Sequence, residues 1–401
     1  MILRERYIKQ ITPFIGKPVI KVITGIRRCG KSTFLKMICN SLTESGVMQG
    51  NIILINKDSL DFDFIRNYLD LNNYVKNRII NIPGKIYLFI DEIQEIEGWE
   101  KAVSGFLTDN TADLFITGSN SKMLSSELAT FISGRYIEFR MYPLTFSEFL
   151  QFRQGKGSEN IDQEFGLFMK YGGFPGIHHM EYEDEVIGQY VNSLYNTILL
   201  KDVVARNGIR DIALLEKIAK FTADNCGNIT SSKKIADFLK TQKVSGSVDT
   251  VQNYLQMLTT AFIFAKVNRF DIKGKRLLEI HEKYYSGDIG LKHILLGYKT
   301  GDISGHLENI VYLELLSRGF KVEIGKYIEQ EIDFIATKGN EINYIQVAYL
   351  LHDQKTIERE YRALEKINDN FPKLVLSMDK FHDPNRAGIQ WENLIEYLIG
   401  N

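Results

Sequence analysis

The chain has 401 residues, 44% of them hydrophobic and 25% charged, with a formal net charge of −1 and three cysteines. That length suits two or three domains with a sizeable core, and the near-neutral charge excludes a global basic field for nucleic acid, leaving only local patches. Cys29, Cys39 and Cys226 are too sparse and unpatterned for a disulfide framework or a cysteine zinc site, and they point to a reducing compartment.

The stretch Met1-Ile2-Leu3-Arg4-Glu5-Arg6-Tyr7 carries charges too early for a signal peptide, and no uncharged apolar run is as long as a membrane span. A cytoplasmic location without membrane contact is expected. The first predicted strand, residues 19–24, is apolar and β-branched. It runs into Gly25-Ile26-Arg27-Arg28-Cys29-Gly30-Lys31-Ser32-Thr33, and helical spacing follows over 33–44. This is G-x-x-x-x-G-K-[ST] in the strand–loop–helix context that makes it a phosphate-binding loop. Gly25 and Gly30 allow close backbone approach, and loop amides with the helix N-terminus face an anion. Lys31 is placed to bridge β- and γ-phosphates and Ser32 to ligate Mg2+. Cys29, inside the loop, reads as an inert small residue rather than a redox site.

A strand over 51–56 and a helix over 63–80 are predicted next. Residues 86–92, Ile-Tyr-Leu-Phe-Ile-Asp-Glu, form a buried strand ending in two acids. Alone they read as a solvated strand end. After a phosphate loop, and at a spacing that leaves room for a strand and a helix between, they read as a metal-and-water pair. Asp91 then fits the carboxylate that holds Mg2+, through water, and Glu92 the base that orients and deprotonates attacking water. A helix over 99–109 and a strand over 113–117 lead to Gly118-Ser119-Asn120-Ser121. Asn120, and second Ser119, suits contact with a γ-phosphate or the water, although such a tetrapeptide also reads as a plain turn. After a predicted helix over 123–131, Arg135 reads equally as an arginine finger, in cis or in trans, or as a structural arginine before a strand over 136–140. This alternation gives a mainly parallel sheet with helices on both faces.

With these motifs, residues 1 to about 150 resemble the AAA-type ATPase domain of bacterial and archaeal proteins near the STAND-like branch of P-loop ATPases. The resemblance is carried further by Tyr142-Pro143-Leu144-Thr145-Phe146-Ser147-Glu148-Phe149, Tyr171-Gly172-Gly173-Phe174-Pro175 and Leu200-Lys201-Asp202-Val203, and it spans nearly the whole chain. It implies an α/β ATPase core at 1–150, a helical linker or lid at 151–210, a winged-helix-like region at 211–292 and a degenerate nuclease-like end at 293–401. It also implies ATP rather than GTP, since no Asn-Lys-x-Asp motif stands in a matching place.

The polar stretch 151–163 is the first linker candidate. His178 and His179 are adjacent rather than spaced for one helix face, so no metal site is read there. Helices over 214–225, 232–240 (capped by Thr230 or Ser231) and 248–258, then two strands flanking Lys273-Gly274-Lys275-Arg276, give the winged-helix order. In a DNA-reading version the third helix offers Thr250, Gln252 and Asn253 to the major groove. Lys233, Lys234, Lys240, Lys243, Lys273, Lys275 and Arg276 suit phosphates, and equally a solvated face. The C-terminal stretch resembles the restriction-endonuclease-like core. Glu308, Asp333 and Gln346 match its metal-binding places, and Ala348 takes the lysine place. Without that cation the group that orients or acidifies water is lost, so a non-cleaving domain is expected.

The reading is thus a Mg2+-dependent ATPase in which opening and closing of the winged-helix region reports nucleotide state. It acts on nucleic acid, a protein partner or a homo-oligomer. The alternatives are a DNA-binding protein with ATP as a regulatory ligand and, behind it, a metal-dependent nuclease.

Overall fold

The computed structural model describes residues 2–121, 134–298, 301–381 and 385–400, with the side chains of 279–281 excepted. The helix expected over 123–131 and the segment Phe131-Ile132-Ser133 lie outside the described residues. The chain divides into two compact units, residues 1–141 with 260–262, and residues 142–259 with 263–401.

In the first unit, five strands form one parallel sheet: β1 (Ile20–Thr24), β2 (Ile52–Asn56), β3 (Tyr87–Asp91), β4 (Asp113–Gly118) and β5 (Tyr136–Arg140). Their spatial order is β2-β3-β4-β1-β5. Side chains alternate between faces, and both faces are buried, as parallel sheets require. Ile20, Val22, Leu88, Ile90, Leu114 and Ile116 pack with Leu71, Val75, Trp99, Val103 and Phe106 of the helices Tyr68–Arg78 and Trp99–Thr108. On the alternate face Phe89 stacks on Phe115 at 4.5 Å, while helix Lys31–Glu44, with Phe34, Leu35 and Ile38 buried, packs against β3 and β4. At the N-terminal edge of the sheet, Lys21 is fully buried and pairs with Asp113, which also accepts from the Gly16 amide at 2.7 Å. The helix expected over 63–80 is shorter, Tyr68–Arg78, because Asn67 and Asp70 form a capping box that sets its start.

The second unit is helical first and mixed afterwards. Thr145 and Glu148 form a capping box at helix Phe146–Arg153, which gives the Leu144-Thr145-Phe146-Ser147-Glu148 run a structural reason. Gly172 and Gly173 lie where a Cβ would meet Asp288 Oδ1 at 2.1 Å and the Leu144 carbonyl oxygen at 2.3 Å. The buried Asp288 carboxylate accepts from the Gly173 and Gly290 amides at 2.7 and 2.8 Å. Helices Ile212–Asp224, Ser232–Thr241 and Val248–Thr260 follow, the second capped by Ser231 through the Lys234 amide.

The antiparallel hairpin β6 (Phe264–Asp271) and β7 (Arg276–Ser286) comes next. It joins β8 (Lys321–Tyr327), β9 (Gln330–Lys338), β10 (Glu341–Val347), β11 (Lys373–Ser377), β12 (Asn385–Arg386) and β13 (Ile389–Asn393) in one sheet. The order is β12-β13-β11-β10-β9-β8-β6-β7, with β6 parallel to β8. Helix Ile303–Ser317 packs on β7, β8, β9 and β10, and helix Gln354–Glu365 on β9, β10 and β11.

Candidate functional site

At the C-terminal edge of the parallel sheet, residues 25–30 turn from β1 into helix Lys31–Glu44. Gly25 has φ 149°, and a Cβ there would lie 2.3 Å from the Met141 carbonyl oxygen. Only glycine lets the loop pass. Gly30 precedes the helix at φ 110°, and Arg28 is left-handed at φ 68°. No side chain caps this helix, so its first amides and its dipole face the loop, an arrangement suited to anions. The buried Lys31 ammonium donates to the Gly25 and Ile26 carbonyls at 2.9 and 3.2 Å and stands 3.8 Å from the Glu92 carboxylate. Cys29 is fully buried beneath the loop. Burial raises its thiol pKa, and Sγ lies 3.6 Å from the Met141 carbonyl, consistent with the inert reading.

Because β4 lies between β3 and β1, its last residues reach both neighbours. Thr117 donates to Asp91 Oδ1 at 2.5 Å and accepts from the Glu92 amide at 2.9 Å. The Ser32 hydroxyl hydrogen-bonds the Asp91 carboxylate. Burial raises the Asp91 pKa, and the Ser32 and Thr117 hydroxyls work against that rise. Glu92 turns into a left-handed conformation, φ 54° and ψ 51°, which for a side chain other than glycine costs on the order of 1–3 kcal/mol. Its carboxylate also accepts from Gln94 Nε2, whose Oε1 is buried without a partner. Lys31, Ser32, Asp91 and Glu92, named from sequence, are therefore brought together. Thr117 and Gln94 join them unannounced. Thr117 could be found only from strand order, and Gln94 only from the turn that Glu92 makes.

Ser119 and Asn120 follow β4, both buried. Arg135 is not brought to the site. Its side chain is exposed, and its carbonyl accepts from the Ile20 amide at the start of β1, while Gly25 follows that strand's end. Five residues of strand separate the two levels, roughly 16 Å. From there Arg135 does not serve its own loop.

A second cluster of charge lies in the mixed sheet. Glu308 comes from helix Ile303–Ser317, Glu331 and Asp333 from β9 and Gln346 from β10. The Asp333 amide donates to Gln346 Oε1 at 3.3 Å, and Asp333 Oδ2 accepts from the Val347 amide at 2.8 Å. Ala348 supplies no cation, but the cluster holds one. Lys283 of β7 lies 3.0 Å from Glu308 and 2.7 Å from Glu331. This corrects the expectation of a cluster without its cation: the ammonium arrives from a strand remote in sequence. Burial disfavours that ammonium, but Glu308, Asp333 and Glu331 outweigh it and hold its pKa above the ordinary lysine value. Among the described residues, no group of three or more His, Cys, Asp or Glu side chains is arranged to hold a metal ion. Nor is any helix among them long and apolar enough to cross a membrane. Lys233, Lys234, Lys240, Lys243, Lys273, Lys275 and Arg276 are all exposed, and Lys240 pairs with Asp237 at 3.5 Å.

Residues 17–150 match the sequence family described as an AAA domain, and residues 163–302 match a domain of unknown function. A Haemophilus influenzae protein described as uncharacterized is 36% identical over 401 residues, covering 100% of this chain and 99% of that one. A similarly described Methanocaldococcus jannaschii protein is 34% identical over 362 residues, covering 86% of this chain and 78% of its own. Among solved structures, the Walker-type ATPase of Pyrococcus abyssi aligns with a TM-score of 0.51 at 15% identity, covering 73% of this chain and 95% of that one. That likeness supports the fold. The parallel sheet, the loop and these matches together place the chain in the family of AAA-domain proteins of the P-loop ATPase class, with a domain of unknown function after the nucleotide-binding region.

Proposed function

We propose that the chain is a Mg2+-dependent ATPase that works as a nucleotide-driven switch in the cytoplasm. The observation that carries this reading is the convergence of Lys31, Ser32, Asp91 and Glu92, tied across β4 by Thr117. Lys31 is held mainly by neutral carbonyls, which a phosphate oxygen outcompetes. The donor set also fits a magnesium ion. Ser32 and Asp91 already share a hydrogen bond at the head of the loop, and hard oxygens of this kind, with water, suit Mg2+. Bound Mg2+ with ATP supplies the electrophilic phosphoryl group. Residues 25–33 cradle its phosphates, Ser32 and Asp91 hold the ion, and Glu92 orients water and accepts its proton. Asn120 senses the γ-phosphate. Arg135 acts, if as a finger, only in trans, from a second copy or a partner.

The domain assignment goes with this reading: ATPase at 1–150, a helical linker or lid at 151–210, a winged-helix-like region at 211–292 and a non-cleaving nuclease-like end at 293–401. Nucleotide turnover by wild type, Lys31→Ala and Glu92→Gln tests it. Lys31→Ala should lose binding or turnover, and Glu92→Gln should bind ATP without turning it over. Wild-type turnover in Glu92→Gln refutes the base assignment.

A DNA-binding reading, with ATP as a regulatory ligand, is favoured by one feature, the exposed Lys273, Lys275 and Arg276 at the tip of the β6–β7 hairpin. Salt-dependent retention on DNA, lost when all three are changed, supports it. No affinity at low salt rejects it.

A further inference from the structure

The Glu308–Glu331–Asp333 cluster gathers three acids in a domain that resembles a metal-dependent nuclease, yet a lysine stands among them. Lys283 is 2% exposed, and it does not lie at the surface as an ordinary solvated lysine. Its Nζ is 3.0 Å from Glu308 Oε1 and 2.7 Å from Glu331 Oε1. The same Glu308 oxygen accepts from the Tyr285 hydroxyl, two residues along β7. Tyr285 is itself fixed by stacking on Tyr312 at 4.6 Å. The ammonium is therefore positioned by packed aromatic groups, with two carboxylates closed on it at contact distance.

We propose that the Lys283 ammonium is the resident cation of this pocket, a tethered replacement for a divalent ion. A divalent cation would need the same carboxylate oxygens at about 2.1–2.6 Å. While Lys283 holds them at 2.7 and 3.0 Å, no room is left between them for an ion. Entry from solvent is not the obstacle. Glu331 and Gln346 also line a cleft of about 700 Å³, and the Glu331 side chain is 33% exposed. The domain is thus closed to metal by its own side chain, and removing that side chain opens a divalent-cation site of carboxylate oxygens. The inference concerns the second unit and does not rest on the ATPase reading.

The test is titration of the full-length chain, free of nucleotide, with Mn2+ and Ca2+ by calorimetry, alongside thermal unfolding with and without 1 mM of each ion. Wild type should show no binding assigned to this pocket and a melting temperature unmoved by the ions. Lys283→Ala should unfold earlier in chelator, bind Mn2+ at least tenfold more tightly than wild type, and regain several degrees on adding it. That gain should vanish in the Lys283→Ala, Asp333→Asn double variant. A lysine that served only as a packing pin would lose stability without metal rescue, and that outcome overturns the proposal. Lys283→Gln carries the same test if the alanine variant does not fold. Mn2+ binding by wild type that is lost in Asp333→Asn also overturns it. So does metal-dependent plasmid cleavage by wild type that is lost in Lys283→Ala.

Discussion

The two units each bury a lysine among acids, and the contrast between those lysines separates a site built for exchange from one built to stay shut. Lys31 is held by two carbonyl oxygens, with the Glu92 carboxylate farther off at 3.8 Å. Lys283 is held by two carboxylates at 3.0 and 2.7 Å. An ammonium is held more strongly by anionic carboxylates than by neutral carbonyls, so the Lys31 ammonium is the more readily handed to an anion and the Lys283 ammonium the less. The backbone differs too. Gly25, Arg28, Gly30 and Glu92 all take positive φ around Lys31, whereas Lys283, Glu331 and Asp333 lie within β7 and β9 at ordinary negative φ, although the pairing of both strands shifts register beside Lys283 and Asp333. Strain of this kind collects at functional sites, and here it collects around one of the two lysines.

Substitution of each lysine is the strongest way to break that contrast. Lys31→Ala should cut ATP turnover by about a thousandfold or more while leaving thermal unfolding of the second unit unchanged. Lys283→Ala should do the reverse. Removing one partner from a buried ion pair destabilises by roughly 3–5 kcal/mol, and that loss should appear in the second unit. Trp99 lies in the first unit and Trp391 in the second. Trp99→Phe and Trp391→Phe backgrounds therefore give a separate fluorescence melt for each unit.

Acidification should sharpen the contrast next. All seven histidines lie in the second unit. Burial lowers His178, His293 and His306 to about 4. A histidine whose folded pKa is depressed contributes stability above its unfolded pKa near 6.5 and loses it as pH falls toward 4. Asp288 acts in the opposite direction, since burial raises it to about 6 and protonation below that pH favours the fold. Asp333 and Glu392, which burial also raises, act with Asp288. Displacing a pKa by one pH unit corresponds to about 1.4 kcal/mol, so each of these histidines loses roughly 3 kcal/mol between pH 6.5 and 4, a loss that the raised carboxyls offset in part. The Trp391 melt should fall steeply over that range, and the Trp99 melt much less. Equal falls would show that these histidines do not control the second unit.

The smallest expected effect is at Thr117. Thr117→Val keeps the shape and removes the hydroxyl that ties Asp91 to the Glu92 amide. Turnover should drop about tenfold, from the loss of one buried hydrogen-bond partner at roughly 1–3 kcal/mol, with ATP affinity within a few-fold of wild type. Steady-state kinetics beside equilibrium binding checks both.

What could be read in advance follows from how locally each feature is encoded. The strands of the first sheet and the loop at 25–33 were legible because apolar runs, two glycines and a lysine stand together in sequence. Asp91 and Glu92 were legible because a buried strand ends on them. The start of helix Tyr68–Arg78 was not, since Asn67 with Asp70 closes a capping box inside what reads as one continuous helical stretch. Thr117, Lys283 and the displacement of Arg135 depend on which strands become neighbours. No local pattern states that β4 inserts between β3 and β1, or that a hairpin lysine turns into the acids of β9. The family match over 163–302 likewise gave a name to a region without giving it chemistry.

Calorimetric titration of folded wild-type protein with ATP and Mg2+, set beside turnover of wild type and Glu92→Gln, tests the central claim most directly. The account predicts saturable binding of one nucleotide per chain in both proteins, abolished in Lys31→Ala, with turnover confined to wild type. Absence of binding heat on folded wild-type protein, or turnover in Glu92→Gln equal to wild type, would contradict it.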